Sequence, residues 1–157
     1  MTTVVSPVAG RVTALAEVPD AVFAGQLVGA GVAIEPSAPP AGVDGGAARV
    51  AVVSPIDGEV VKLHPHAFVV VGASGAGLLV HVGIDTVKLG GAGFELAVAE
   101  GATVAAGDLV VTFDPAVVAA AGYSAVVPVV VLDSAPDSVS QQAVGTTVEP
   151  GTPLFDL

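Results

Sequence analysis

Three histidines, His64, His66 and His81, fall within 18 residues, and the chain has no others. Imidazole is the side chain whose ordinary pKa lets it act near neutral pH as nucleophile, base or ligand. His64 and His66 stand two apart in Leu63-His64-Pro65-His66-Ala67-Phe68. In an extended segment that spacing puts both rings on one face, unless Pro65 breaks the alternation. His81 closes the apolar run Leu78-Leu79-Val80 and is followed by Val82-Gly83-Ile84-Asp85-Thr86. A histidine at the mouth of a buried strand, with Gly83 giving backbone room, is a candidate reactive group. The plain alternative for each is a half-buried ring with its hydrogen bonds met. Asp85, four after His81, either orients that ring or caps the turn at Thr86; spacing favours the cap. Asp20, after Val18-Pro19, reads as the N-cap of a helical turn at Ala21-Val22-Phe23, and Phe23 and Phe94 read as core. Gly90-Gly91-Ala92-Gly93 lacks the GK[ST] ending of a phosphate loop and reads as a turn. No G-x-S-x-G elbow and no paired-carboxylate site stand out.

Short strands must position these groups. Valine-rich runs separated by Gly, Pro and Asp place candidate strands at 3–5, 10–15, 31–35, 50–53, 58–63, 67–71, 77–82, 94–98, 109–113, 126–132 and 153–156. One helix is expected at 115–121, with proline first and Gly122 behind it. Residues 36–48 and 133–143 read as mobile connectors. Two internal repeats appear. Val5-Ser6-Pro7-Val8-Ala9-Gly10-Arg11-Val12 returns 48 residues later as Val53-Ser54-Pro55-Ile56-Asp57-Gly58-Glu59-Val60. Gly101-Ala102-Thr103-Val104-Ala105-Ala106-Gly107 returns 44 residues later as Gly145-Thr146-Thr147-Val148-Glu149-Pro150-Gly151. Two copies of each imply approximate internal symmetry rather than a solenoid. The expected architecture is one all-β domain over 1–157, a sandwich or barrel of short strands with at most one or two short helices.

Composition removes several function classes. Four Lys+Arg against 15 Asp+Glu give a net charge of −11, and the cations are scattered. Nucleic acid and anionic membrane surfaces need clustered cations. The longest stretch free of charged residues and of histidine, 115–132, is interrupted by proline and glycine and flanked by Asp114 and Asp133, so membrane insertion is not expected. With no cysteine there is no disulfide framework, thiolate site or cysteine nucleophile. The N-terminus has no charged n-region or cleavage site, which makes a cytoplasmic location the default expectation.

The stretch LLVHVGIDTVKLGGAGFELAVAEGATVAAGDLV resembles the glucose-type enzyme IIA of the bacterial sugar phosphotransferase system. So do VVSPVAGRVTALAEVPDAVFAGQLVGAGVAIEP, VVSPIDGEVVKLHPHAF and the late Ala125–Val131 run. Together these cover nearly the whole chain in family order. HVGIDTV followed by G-x-G-F is the specific part; the S-P-x-x-G repeat alone is weak. The resemblance implies a compact antiparallel β-sandwich related to the barrel-sandwich hybrid of biotinyl domains. It implies a phosphocarrier that takes a phosphoryl group from HPr onto a histidine and passes it to a cysteine of a IIB domain. By resemblance His81 is that histidine and His66 its active-site companion. Asp20 and Asp85 match carboxylates that meet basic partner residues, and Phe23 an apolar rim residue. No cofactor and no metal are implied. Many members carry a threonine shortly before the second histidine, bonded to its ring. Here the connector is shorter and has none, leaving His64, a backbone carbonyl or a different setting of His66.

Two other readings compete. His64-x-His66 with His81-x-x-x-Asp85 resembles the ligand set of lysostaphin-type zinc metallopeptidases, but in the reverse order. A non-transferring regulatory or biotinyl-type binding module is the other. Lys62 and Lys88 lack the Met-Lys pairing a biotinyl domain needs.

Overall fold

The computed structural model describes residues 2–37 and 49–157, so most of the connector expected at 36–48 lies outside the described residues. The strands are β1 (Thr3–Val5), β2 (Gly10–Ala14), β3 (Gly29–Pro36), β4 (Val50–Val53), β5 (Gly58–His64), β6 (Ala67–Val71), β7 (Gly77–His81), β8 (Phe94–Leu96), β9 (Thr103–Val104), β10 (Leu109–Phe113), β11 (Val127–Leu132), β12 (Thr147–Val148) and β13 (Pro153–Asp156). Among the described residues there are also two short helices, α1 (Ala21–Ala24) and α2 (Pro115–Ala120), and two 3-10 turns, Leu15–Glu17 and Thr86–Leu89. The all-β expectation is met. The two-residue strands β9 and β12 were not among the expected strands; both lie in the second sequence repeat. Leu15 belongs to a 3-10 turn rather than to β2.

An eight-stranded antiparallel sheet in the order β12-β2-β3-β11-β7-β6-β5-β9 curls against a three-stranded sheet, β4-β10-β8, and a β1-β13 pair. The order of the large sheet is palindromic: β12 matches β9, β2 matches β5, β3 matches β6 and β11 matches β7. The repeats create this symmetry through equivalent local bonds. Ser6 Oγ donates to the Val8 carbonyl and Ser54 Oγ to the Ile56 carbonyl, each at 2.7 Å. The Gly145 amide donates to Val12 O at 2.8 Å, and the Gly101 amide to Val60 O at 2.7 Å. Both glycines hold a positive φ, 90° and 91°, where a side chain would be strained.

The main core fills the curl with alternating inward residues, among them Val12, Val60, Phe68, Val70, Leu78, Val80 and Phe113. The symmetry fails at one place that matters for function. β5 and β6 are joined by Pro65-His66 alone, whereas 15–28 run between β2 and β3. That longer segment folds over the outer face of the sheet. Its Leu15, Val18 and Phe23 pack on Ala33, Ile84, Val126 and Val130, a second core that also touches Leu79. β3 is therefore buried on both faces along Gly29–Ile34.

Residues 133–143 form no regular structure, as expected, but they are anchored rather than loose. Val139 is buried. Gln26 Nε2 donates to Asp137 Oδ1 at 3.0 Å and the Asp137 amide to Gln26 Oε1 at 2.8 Å. This clasp ties the connector to the segment that carries α1. No helix among the described residues is long and apolar enough to cross a membrane.

Candidate functional site

β6 and β7 pair with Ala67 opposite His81 and Phe68 opposite Val80. Phe68 and Val80 point into the core, so Ala67 and His81 share the outer face. Ala67 offers only a methyl there, which leaves room beside His81 for a larger ring. His66, one residue before β6, takes it: the two imidazole centroids are 5.5 Å apart, edge to face at 67°. The His66 carbonyl accepts from the Val82 amide at 2.7 Å, which stitches the turn to the residue after His81. On the other side the buried Phe23 ring lies 5.2 Å from His81 at 58°. The structure thus brings His66, His81 and Phe23 together at the edge of the second core.

His81 is held by the loop that follows it. Its Nδ1 is bonded to the Gly83 carbonyl. A carbonyl only accepts, so the neutral ring carries its proton on Nδ1 and keeps the Nε2 lone pair free. Gly83 has φ +81°, and a Cβ there would meet Thr86 Cγ2 at 2.5 Å and the Ser124 carbonyl at 2.9 Å. Only glycine fits. The loop is fixed by further bonds: Gly83 N to Val126 O at 3.1 Å, Ile84 N to Ser124 O at 2.9 Å, and buried Thr86 Oγ1 to Val82 O at 2.7 Å.

Burial lowers the His81 pKa below its ordinary value, outweighing the Gly83 carbonyl and the Asp20 and Asp85 carboxylates, which all pull it up. His66 is lowered as well, first by burial and then by repulsion from His81 and His64. Both rings are therefore neutral at pH 7, and His81 presents an unprotonated Nε2 as nucleophile.

Asp20 caps α1 as expected: Oδ1 accepts from Val22 N at 2.9 Å and Phe23 N at 3.4 Å. The cap fixes the turn that sets Phe23 against His81. Asp85 behaves differently from both sequence expectations. It heads the Thr86–Leu89 turn at φ 64°, but its side chain makes no cap bond, and the group that orients His81 is the Gly83 carbonyl. Its nearest signal in sequence was the glycine two after His81. The glycine run 90–93 forms the expected successive turns, with Ala92 N donating to Leu89 O and Phe94 N to Gly91 O. His64 is exposed, and its ring stacks on His66 with centroids 5.5 Å apart and planes 19° apart. No side-chain hydrogen bond reaches the His66 ring among the described residues; the stack stands in that place.

The histidines do not line the concavity of about 580 Å³ formed by residues such as Thr3, Thr147, Leu154 and Phe155. They sit on the open outer face. Val22, next to Phe23, and Val87, in the turn that follows His81, are 45% and 57% exposed. An open face with a neutral nucleophile, an apolar border and nearby carboxylates suits a reactant delivered by another protein.

Residues 2–136 match the family model described as the phosphoenolpyruvate-dependent sugar phosphotransferase system, EIIA 1. The chain is 40% identical to a glucose-specific EIIA component of that system from Bacillus anthracis, over 96% of this chain and 86% of that one. It is 38% identical to a β-glucoside-specific EIIBCA component from Bacillus subtilis, over 97% of this chain but only 24% of that protein. Among solved structures, glucose permease IIA from Mycoplasma capricolum superposes with a TM-score of 0.83 at 32% identity, covering 98% of this chain and 93% of that one. None of these relatives supports a zinc peptidase or a biotinyl-type module.

Proposed function

Because the chain belongs to the EIIA 1 family of the phosphoenolpyruvate-dependent sugar phosphotransferase system, we propose that His81 carries its phosphoryl group and that His66 assists the transfer. Membership makes the chain a phosphotransferase component, a phosphocarrier in sugar uptake. The observation that supports His81 is its bond to Gly83: with Nδ1 committed, Nε2 is the one ring nitrogen free to attack.

The donor is HPr, phosphorylated on a histidine. The Nε2 lone pair attacks phosphorus in line, the donor's N–P bond breaks, and its electron pair returns to the donor imidazole. His81 now holds the phosphoryl group on Nε2 and its proton on Nδ1. The acceptor is a thiolate on a IIB domain; as its S–P bond forms, the N–P electron pair returns to Nε2. Little covalent work falls to the protein, so positioning and charge stabilisation dominate. His66, 5.5 Å away and edge-on, is the near group able to donate to phosphoryl oxygens in the second step. The exposed Val22 and Val87 form the apolar part of the docking face, backed by the buried Phe23, while Asp20 and Asp85 form an acidic border that steers basic partners. Residues 1–157 act as one phosphocarrier unit in the cytoplasm, with no cofactor.

The test is a reconstituted transfer from phosphoenolpyruvate through enzyme I and HPr. The wild-type chain takes up one acid-labile phosphate, and His81→Ala takes up none. Label retained by His81→Ala contradicts the assignment.

A further inference from the structure

His64 has no part in the transfer as described, yet the fold gives it a fixed place. It is the last residue of β5, paired with Ala67 across the two-residue turn Pro65-His66. A two-residue connection sets the directions of both flanking residues closely. A Cβ at Gly91 would come within 3.6 Å of Pro65, so the 90–93 turn closes that side of the hairpin end. The His64 ring lies almost parallel to that of His66, 19° off, at 5.5 Å.

His66 needs such a support. It is only half-buried, and among the described residues nothing hydrogen-bonds its ring. A side chain in that position changes rotamer rapidly unless packing restrains it. Two rings flank it here: the His81 ring meets it edge to face at 67°, and the His64 ring lies beside it in a displaced, nearly parallel stack. The nearby His64 is also the smallest of the influences that lower the His66 pKa, after burial and His81.

We propose that His64 is a positioning residue for phosphoryl transfer, a back-plate whose ring holds His66 edge-on to His81 where no hydrogen bond does so. This rests on the phosphocarrier reading of His81 and His66. The support is aromatic area rather than imidazole chemistry, so another flat ring can replace it. An aromatic pair of this kind contributes a factor of roughly 2 to 10 to the population of the supported geometry.

The test compares His64→Ala and His64→Phe with the wild type. In the unphosphorylated proteins, the nuclear Overhauser contact between the His66 and His81 ring protons is measured by NMR. It should weaken in His64→Ala and persist in His64→Phe. In single-turnover transfer, His64→Ala should slow donation to a IIB domain by about 2- to 10-fold and leave acceptance from HPr unchanged. His64→Phe should match the wild type in both steps. An unchanged ring contact in His64→Ala overturns the proposal, as does a His64→Phe variant that behaves like His64→Ala. Failure of the wild-type chain to accept phosphate overturns the phosphocarrier reading of the site instead; the NMR arm then still decides the positioning claim.

Discussion

Replacing His66 by alanine should separate the two halves of the transfer. Acceptance depends on the Nε2 lone pair of His81, which is set by the Nδ1 bond to the Gly83 carbonyl, a bond that does not involve the His66 ring. Donation depends on stabilising charge on phosphoryl oxygens as they leave Nε2. The His66 ring, 5.5 Å from that of His81 between centroids, is close enough to supply one donor there. Loss of one such donor typically slows a reaction by ~10²–10³, or about 2.7–4 kcal/mol of transition-state stabilisation. His66 is half-buried and outside both cores, so its truncation should cost little stability, about 0.5 kcal/mol. Rapid-quench single-turnover measurements, first with phospho-HPr and then with a IIB domain, read the two rates separately. His66→Ala should accept within a few-fold of the wild-type rate and donate two to three orders of magnitude more slowly. Equal losses in both steps, together with a lowered melting temperature, would show that His66 only packs the turn.

The same geometry fixes further outcomes. Gly83→Ala puts a Cβ against Thr86 and Ser124 at φ +81°, so it should lower stability by ~1–3 kcal/mol and move the His81 proton off Nδ1; an unchanged melting temperature and nitrogen chemical shifts refute this. Ala67→Leu fills the space opposite His81, should displace His66, and should slow donation by ~10² with little change in acceptance; retained donation refutes it. Acceptance needs neutral His81, so its rate should fall as pH drops through a pKa lying below 6.5. Stability should fall in the same acid range, because the unfolded chain binds the proton more readily than the native one. Asp20→Asn keeps a capping side chain but removes a carboxylate that raises that pKa, so the acid limb should move lower still. An acid limb centred at or above 6.5 contradicts the dominance of burial.

Much of this was legible from residue types. Proline and glycine punctuation located the longer strands, and the Asp20 cap and the helix behind Asp114 follow from local chemistry alone. The S-P-x-x-G repeat announced a symmetry that the sheet order confirms. The strands β9 and β12 escaped because two residues carry no periodicity; only the repeat marked their neighbourhood. β3 begins at Gly29 rather than at the expected residue 31, since Gly29 and Ala30 have low strand propensity and are held by pairing with β11. At the site, three histidines close in sequence drew attention to the right hairpin. Their order in space depends on features that spacing does not encode: the register that sets Ala67 beside His81, and the 15–28 segment that brings Phe23 over the sheet. Asp85 misled because a carboxylate four residues from a histidine looks like its orienter, whereas a backbone carbonyl two residues away has the shorter path.

The central claim is that the phosphoryl group sits on Nε2 of His81. NMR of the phosphorylated protein, with nitrogen-15 in the histidine rings and detection of coupling to phosphorus-31, reads the bonded atom directly. Phosphorus coupled to Nε2 of His81, with a proton still on Nδ1, is the expected result. Coupling to Nδ1 of His81, or to either ring nitrogen of His64 or His66, would contradict it.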